Sequence, residues 1–197
     1  MMNAIVNEIK SSLKLQPLTV NNWHLFEEVM GEKGGCGGCW CMYFRLFPKE
    51  FSNDKYEGHK GRMYDLVKAA KPTGLIATYN KEAVGWIAFA PREDYKRIEN
   101  SRGFKRIDDK PVWSVTCFFI KKEFRKMGLS EQMIKGTVDY ARKKKIKILE
   151  AYPAIPYSDK VPPPFLWVGI LSAFTKNGFE VVQQNGKSRA MVRLCVE

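Results

Sequence analysis

The residues best placed to do chemistry begin at Arg125-Lys126-Met127-Gly128-Leu129-Ser130. Before them runs Val112 to Ile120, an apolar, β-branched and aromatic stretch that predicts a buried strand. After them an amphipathic helix begins. A strand, a glycine-containing turn and a helix start together make a cradle for an anion. The unpaired N–H groups of the first helical turn and the positive end of the helix dipole both favour negative charge there. A glycine lets a ligand approach the backbone because it carries no Cβ. The segment therefore implies a phosphorylated ligand.

Other reactive types lie elsewhere in the chain. Glu150, near the end of a predicted strand, is a candidate base that would take an ammonium proton directly or through water. The competing reading is an edge-facing or salt-bridged carboxylate. Cys117 reads either as a reactive thiol or as a small buried core residue. Cys36-Gly-Gly-Cys39-Trp-Cys41 suggests zinc, redox work or a substrate-contacting thiol. A structural zinc needs four ligands, no second pair follows at the usual spacing, and His24 or His59 would have to complete the set, so no metal is expected. Otherwise the cluster is a mobile loop followed by buried cysteines. Gly34-Gly35 and Gly37-Gly38 are not a second phosphate loop, since no Gly-Lys-Ser/Thr follows. Trp86, Trp113 and Trp167 read as core or pocket wall.

The elements that must position these residues follow from periodicity. Leu13 to Leu18 alternates as a first strand. Thr19 to Asn22 offers caps for a helix carrying Trp23, Leu25, Phe26 and Val29. Gly31 to Gly38 is a loop, Trp40 to Phe47 is aromatic, and residues 60–70 suit a helix. Gly74 to Tyr79 and Ala83 to Ala90 predict two strands joined at Asn80-Lys81-Glu82. Pro91 to Pro111 reads as charged and irregular. A helix from Leu129 to Lys144 presents Ile134, Val138 and Ala141 on one face. Ile146 to Tyr152 is a further strand, followed by a proline-rich loop over Pro153 to Pro164 and a helix around Gly169 to Asn177 that ends at Gly178. Phe179 to Gln183 and Arg189 to Val196 pair as a last hairpin. The whole, residues 1–197, reads as one α/β domain without repeats or linkers.

The chain is long enough for one well-buried core, and 45% hydrophobic and 13% aromatic residues fit an ordered protein. No apolar run is long enough to cross a bilayer, so no membrane partner is expected. The start, MMNAIVNEIKSSLK, lacks the pattern of a secretory signal, and an odd number of crowded cysteines makes a poor disulfide framework; a cytoplasmic location is expected. The net charge of +12 admits a polyanionic partner. Yet the lysines and arginines are dispersed and no nucleic-acid-binding signature accompanies them, which counts against nucleic acid. Oligomeric state is open, a homodimer included.

Strand, Arg125-x-x-Gly128-x-Ser130, amphipathic helix, strand, loop and Ala173-Phe174-Thr175-Lys176-Asn177-Gly178-Phe179 together resemble the GNAT superfamily of acyl-CoA-dependent N-acyltransferases. Cys39-Trp40-Cys41-Met42-Tyr43, Val84-Gly85-Trp86, Val112-Trp113-Ser114-Val115 and Glu150-Ala151-Tyr152-Pro153 resemble a bacterial and archaeal subgroup of it. The resemblance implies a mixed, mostly antiparallel central sheet flanked by helices. It implies acetyl-CoA as acyl donor and a primary amine, of unknown identity, as acceptor, with direct attack in a ternary complex. It implies further that the strand segment Phe118, Phe119 and Ile120 binds the pantetheine arm and acetyl group, through the backbone of Phe118 and Ile120. The N–H groups of the Arg125, Lys126, Met127, Gly128, Leu129 and Ser130 turn would then hold the pyrophosphate. Trp40, Tyr43 and Arg45, from the region that borders the acceptor in this fold, become candidates for acceptor recognition.

Many relatives carry a tyrosine as general acid where this chain has Phe174. The proton for the leaving thiolate then falls to Tyr152, Tyr157, Ser172 or Cys117, or the thiolate leaves with little help, as its modest thiol pKa permits. With Glu150 as base, the candidate catalytic set is Glu150, Tyr152 and Cys117. Two alternatives stand beside this reading: a non-catalytic acyl-CoA-binding regulatory domain of the same fold, and a basic nucleic-acid-binding module.

Overall fold

The computed structural model describes residues 8–9, 11–158, 161–162 and 166–197. Seven strands form one mixed sheet: β1 Lys14–Pro17, β2 Gly74–Tyr79, β3 Glu82–Pro91, β4 Trp113–Ile120, β5 Ile148–Ala151, β6 Glu180–Asn185 and β7 Arg189–Cys195. Their order is β1-β2-β3-β4-β5-β7-β6. Every neighbouring pair is antiparallel except β4 and β5, which run parallel. This is the mostly antiparallel α/β sheet expected from the sequence.

Among the described residues six helices of defined extent accompany it: α1 Trp23–Met30, α2 Pro48–Asn53, α3 Glu57–Lys68, α4 Lys96–Glu99, α5 Leu129–Lys143 and α6 Leu171–Thr175. On one face, Leu129, Met133, Ile134, Val138 and Ala141 of α5 cover Ile87, Phe89, Val115 and Phe118. On the other, Phe26, Val29 and Met30 of α1 and Met63 and Val67 of α3 cover Ile76, Trp86, Ala88 and Cys117. A strand covered on both sides needs apolar residues at successive positions rather than alternate ones, which is why β3 reads AVGWIAFA without a break. Each large side chain so buried contributes roughly 1.5–3 kcal/mol. Asn80 and Lys81 both take positive φ (48° and 69°), as a tight hairpin between right-twisted strands requires.

The differences from expectation are informative. The strand expected over 146–152 narrows to β5, because pairing with β4 stops at Val115 opposite Ala151. The helix expected over 169–177 narrows to α6, and left-handed Gly178 (φ 83°) follows it. The segment taken as irregular contains a helical turn at Arg92–Asp94 and then α4. α2 has a sequence signal in Pro48 at its first turn and Glu50, whose carboxylate accepts the Phe47 N–H at 2.8 Å. Among the described residues no helix is long and apolar enough to cross a membrane. The N-terminal residues 1–7 and, in the proline-rich loop, Pro163 and Pro164 lie outside the described residues.

Candidate active site

β4 pairs with β3 along its whole length but with β5 only at Trp113, Ser114 and Val115. A bulge opposite Ala88 and Phe89 adds one residue to β4 at that point and bends it away. From Thr116 onward the edge of β4 that faces β5 has no strand beside it. The Phe118 N–H points into this gap and donates to the Trp167 carbonyl at 2.6 Å. Backbone groups alternate along a strand, so Ile120 presents its N–H and carbonyl to the same side; its carbonyl accepts from Arg125 Nε at 2.8 Å.

Beyond β4 the chain makes one helical turn at Lys122–Phe124 and reaches Arg125, Lys126 and Gly128, all exposed. Lys126 and Gly128 take positive φ (62° and 73°), and the second of these places Gly128 as N-cap of α5. No side chain caps that helix. The amides at its start therefore have no intrahelical acceptor, and a helix of fifteen residues focuses its positive dipole end on them. The first intrahelical bond is a long one, Gln132 N–H to the Gly128 carbonyl at 3.4 Å. An open strand edge thus leads straight into an uncapped helix start. That geometry suits an elongated ligand with an amide-like arm at one end and phosphates at the other.

The sequence profile of the Acetyltransferase (GNAT) family matches residues 40–157, more than half of the chain. The chain belongs to the GNAT acetyltransferase family. Solved structures agree on the fold. An acetyltransferase of the GNAT family from Streptococcus agalactiae is 12% identical, with TM-score 0.53 over 94% of this chain and 96% of that one. The aminoglycoside acetyltransferase AAC(6')-Ib, in complex with coenzyme A and kanamycin, is 13% identical, with TM-score 0.54 over 93% and 95%. No curated protein matches the sequence.

Within this GNAT chain, the expected residues part into three groups. Phe118, Ile120 and the Arg125–Ser130 turn line the open edge and the helix start, as described, whereas Phe119 turns its backbone groups toward β3 opposite Trp86 and packs its ring against the α1/α3-side core. Glu150 and Tyr152 lie elsewhere in character, although close in sequence. Glu150 is fully buried, and both its oxygens are taken: Oε2 accepts from Arg92 Nη1 at 2.6 Å, and Oε1 from Arg193 Nη2 at 2.6 Å and Nε at 3.0 Å. With both oxygens occupied by guanidinium donors and the side chain fully buried, this carboxylate is out of reach of an incoming ammonium. The salt-bridged reading of Glu150 replaces the catalytic one. The Tyr152 hydroxyl, also buried, sits among Ser114 Oγ (3.0 Å), Arg92 Nη1 (3.2 Å) and Glu150 Oε2 (3.3 Å). Burial pushes its pKa up, only partly offset by Arg92, and its proton already has a partner.

Cys117 faces away from Phe118, into the α1/α3 side of the core. Its Sγ lies 3.2 Å from Cys41 Sγ, which also accepts the Trp86 indole N–H at 3.0 Å. The hydrogen bond from Cys41 and burial push the Cys117 thiol well up, so it is a packed thiol rather than an acid poised at the cleft. Burial likewise pushes Cys39 up to about 12. His59 does not join the cysteines as a ligand; its Nδ1–H donates to the Gly38 carbonyl at 2.8 Å and its ring stacks on Phe51.

Of the acceptor candidates, Trp40 is buried beside Phe26 under the Lys60 ammonium. Arg45 is buried too, donating to the Pro72 carbonyl at 2.9 Å and facing Asp94 at 3.6 Å. Both hold the cysteine-containing loop against the sheet, which corrects their expected role. Tyr43 is exposed and remains a candidate. Phe174, where many relatives have a tyrosine, is fully buried edge-on against Phe118 and Phe179. Tyr157 and Ser172 are exposed.

The arginines around β5 carry no signal in the sequence. Arg92, Arg97, Arg189 and Arg193 become meaningful only once β7 and the 92–111 segment converge on β5, and no local motif announces that.

Proposed function

We propose that the chain transfers an acetyl group from acetyl-CoA to a primary amine by direct attack in a ternary complex. The observation that carries this reading is the open β4 edge at Phe118 and Ile120 running into the uncapped start of α5. Acetyl-CoA, when bound, supplies an acyl group already activated as a thioester. The chain's own contribution is positioning and charge. N–H groups from Lys126 to Ser130 would receive the pyrophosphate, where dipole and unpaired donors act together. Phe118 and Ile120 would align the arm along β4, and an N–H of that edge, with Ile120 placed nearest the turn, would stabilise charge developing on the carbonyl oxygen. The Trp167 carbonyl now occupies the Phe118 amide, so the incoming arm displaces it.

No side chain described around the open edge is a free base, so the acceptor enters as the neutral amine. Orientation of the two substrates then supplies much of the acceleration. Incubation with acetyl-CoA and an amine library, with free thiol measured and acetylated products identified by mass spectrometry, tests the reading. Stoichiometric CoA release and an acetylated amine are expected. Binding of acetyl-CoA without CoA release above the rate of buffer hydrolysis would overturn it.

A further inference from the structure

Among the described residues five arginines are buried or half-buried: Arg45, Arg92, Arg97, Arg189 and Arg193. Three of them have carboxylate partners. Arg45 faces Asp94, Arg92 binds Glu99 and Glu150, and Arg193 binds Asp108 and Glu150. Arg97 and Arg189 have none among the described residues. Arg97 uses Nε on the Leu46 carbonyl (2.8 Å) and lays its guanidinium face over Tyr43 at 4.1 Å and Phe51 at 5.1 Å. Its two terminal nitrogens are left without a protein acceptor in that set. Arg189 spends one N–H on the Tyr152 carbonyl at 3.3 Å, at the point where β5 ends and the gap beside β4 opens.

The two arginines border one gap. Tyr43 lies under Arg97, and Arg189 reaches the Tyr152 carbonyl where that gap opens. The Tyr43 ring meets Phe44 at 5.0 Å and Trp167 at 5.2 Å, edge to face. Trp167 is the residue whose carbonyl sits on the Phe118 amide. Aromatic walls and two unpaired guanidinium groups therefore border the place where acyl transfer is proposed. Removing a guanidinium from water without a counter-charge is unfavourable, and burial holds Arg189 below its ordinary pKa, with Tyr43 offsetting part of that. The same chain neutralises its other sequestered arginines with carboxylates. At this patch no described residue supplies the counter-charge, and the fork of donors each arginine offers matches a carboxylate or a phosphonate.

We propose that the acceptor is a small amine bearing an oxyanion, read by Arg97 and Arg189 while Tyr43, Phe44 and Trp167 wall its body. This rests on the acetyl-transfer reading and narrows it. Matched acceptors test it: 4-(aminomethyl)benzoate, the neutral 4-(aminomethyl)benzamide, and the corresponding benzylphosphonate. The expected result is at least ~10-fold higher kcat/KM for either anion than for the amide, carried mainly by KM, about 1.4 kcal/mol of differential binding. R97Q and R189Q should each erode that ratio, whereas R142A, on the far end of α5, should leave it intact. Equal or better use of the amide by the unaltered protein would overturn the proposal, and so would a ratio unchanged in both glutamine variants.

Titration of the CoA-loaded protein with the same three compounds decides the point independently of turnover: tighter binding of the anions supports it, equal binding sinks it. Failure of the underlying reading looks different. In that case acetyl-CoA does not bind, or neutral amines bind and none is acetylated.

Discussion

Two clusters of polar groups flank β5, and they are built on opposite principles. Around Glu150 every charge is answered. Arg92 reaches Glu99, Glu150, the Tyr152 hydroxyl and the Phe104 carbonyl, and Arg193 closes the other side with Asp108. At the β4 edge and the start of α5, donors are left open: the Phe118 and Ile120 edge, the uncapped amides after Gly128, and the guanidinium edges of Arg97 and Arg189. A saturated cluster fixes shape. An open one is free to bind. Glu150 and Tyr152 are the residue types from which catalysis is ordinarily built, yet they belong to the first kind. The region proposed to carry the reaction is made largely of main chain.

The sharpest way to break this comparison is to remove Glu150. E150A leaves two guanidinium groups facing each other in the core, and loss of one partner of a buried ion pair costs about 3–5 kcal/mol. In a chain of this size that lowers the melting temperature by roughly 10 °C. Denaturant unfolding and turnover per folded molecule should be measured together, with E150Q beside E150A. Stability falls while the folded fraction keeps its activity. An E150Q protein with unchanged melting temperature and no turnover would restore Glu150 as the base. The open cluster is tested next by G128V. A β-branched residue is strained at φ 73° and carries bulk into the anion cradle. CoA affinity should fall at least ~10-fold by calorimetry, with a smaller loss of stability than in E150A. Unchanged affinity would move the pyrophosphate away from this turn.

The main-chain cradle of the open cluster was legible in the sequence, its two arginines and the saturated cluster were not, and locality is the reason. The cradle is one continuous stretch, Val112 to Ser130, in which an apolar run, a glycine and a helix start each leave their own mark. The two faces of the sheet were equally legible, since β3 and α5 carry their burial in their periodicity. The ion cluster joins Arg92, Glu99, Asp108, Glu150 and Arg193, which share no sequence neighbourhood. Its members read as surface charge until β7 pairs with β5 and sets Arg193 opposite Glu150. Trp40 and Arg45 failed for a related reason. Their loop does border the gap, as Tyr43 shows, but left-handed Trp40 and Cys41 (φ 41° and 57°) turn neighbouring side chains to different sides.

Acid should loosen the saturated cluster before it touches the cradle. The Arg193 guanidinium holds Asp108 below its ordinary value. At Glu99, burial pushes upward, but the hydrogen bonds to Arg106 and Arg92 outweigh it and the net shift is down. Carboxylates with lowered folded-state pKa values stabilise the fold fully above their unfolded values. That contribution is lost as pH falls through the folded ones, here below about pH 4. Hydrogen exchange across 92–111 should therefore accelerate on acidification ahead of exchange in β3, and D108N should flatten that response. Uniform acceleration of both segments would show that these carboxylates do not hold the region separately.

The smallest expected effect reports on the open edge itself. If the arm of CoA takes the Phe118 amide, the Trp167 carbonyl must leave it, and the indole beside Tyr43 and Phe44 moves with its backbone. CoA should then change intrinsic fluorescence by a modest, saturable amount that disappears in W167F while binding persists by calorimetry. W167F substitutes only the ring, so its carbonyl still competes for the amide and affinity should stay within about twofold. A fluorescence change that survives in W167F would place the responding tryptophan elsewhere, with half-buried Trp113 and buried Trp86 as the remaining reporters near β4. A change lost together with CoA binding would instead give the indole a direct share in holding the ligand. Either result would redraw the line between the wall of the gap and the strand edge that it covers.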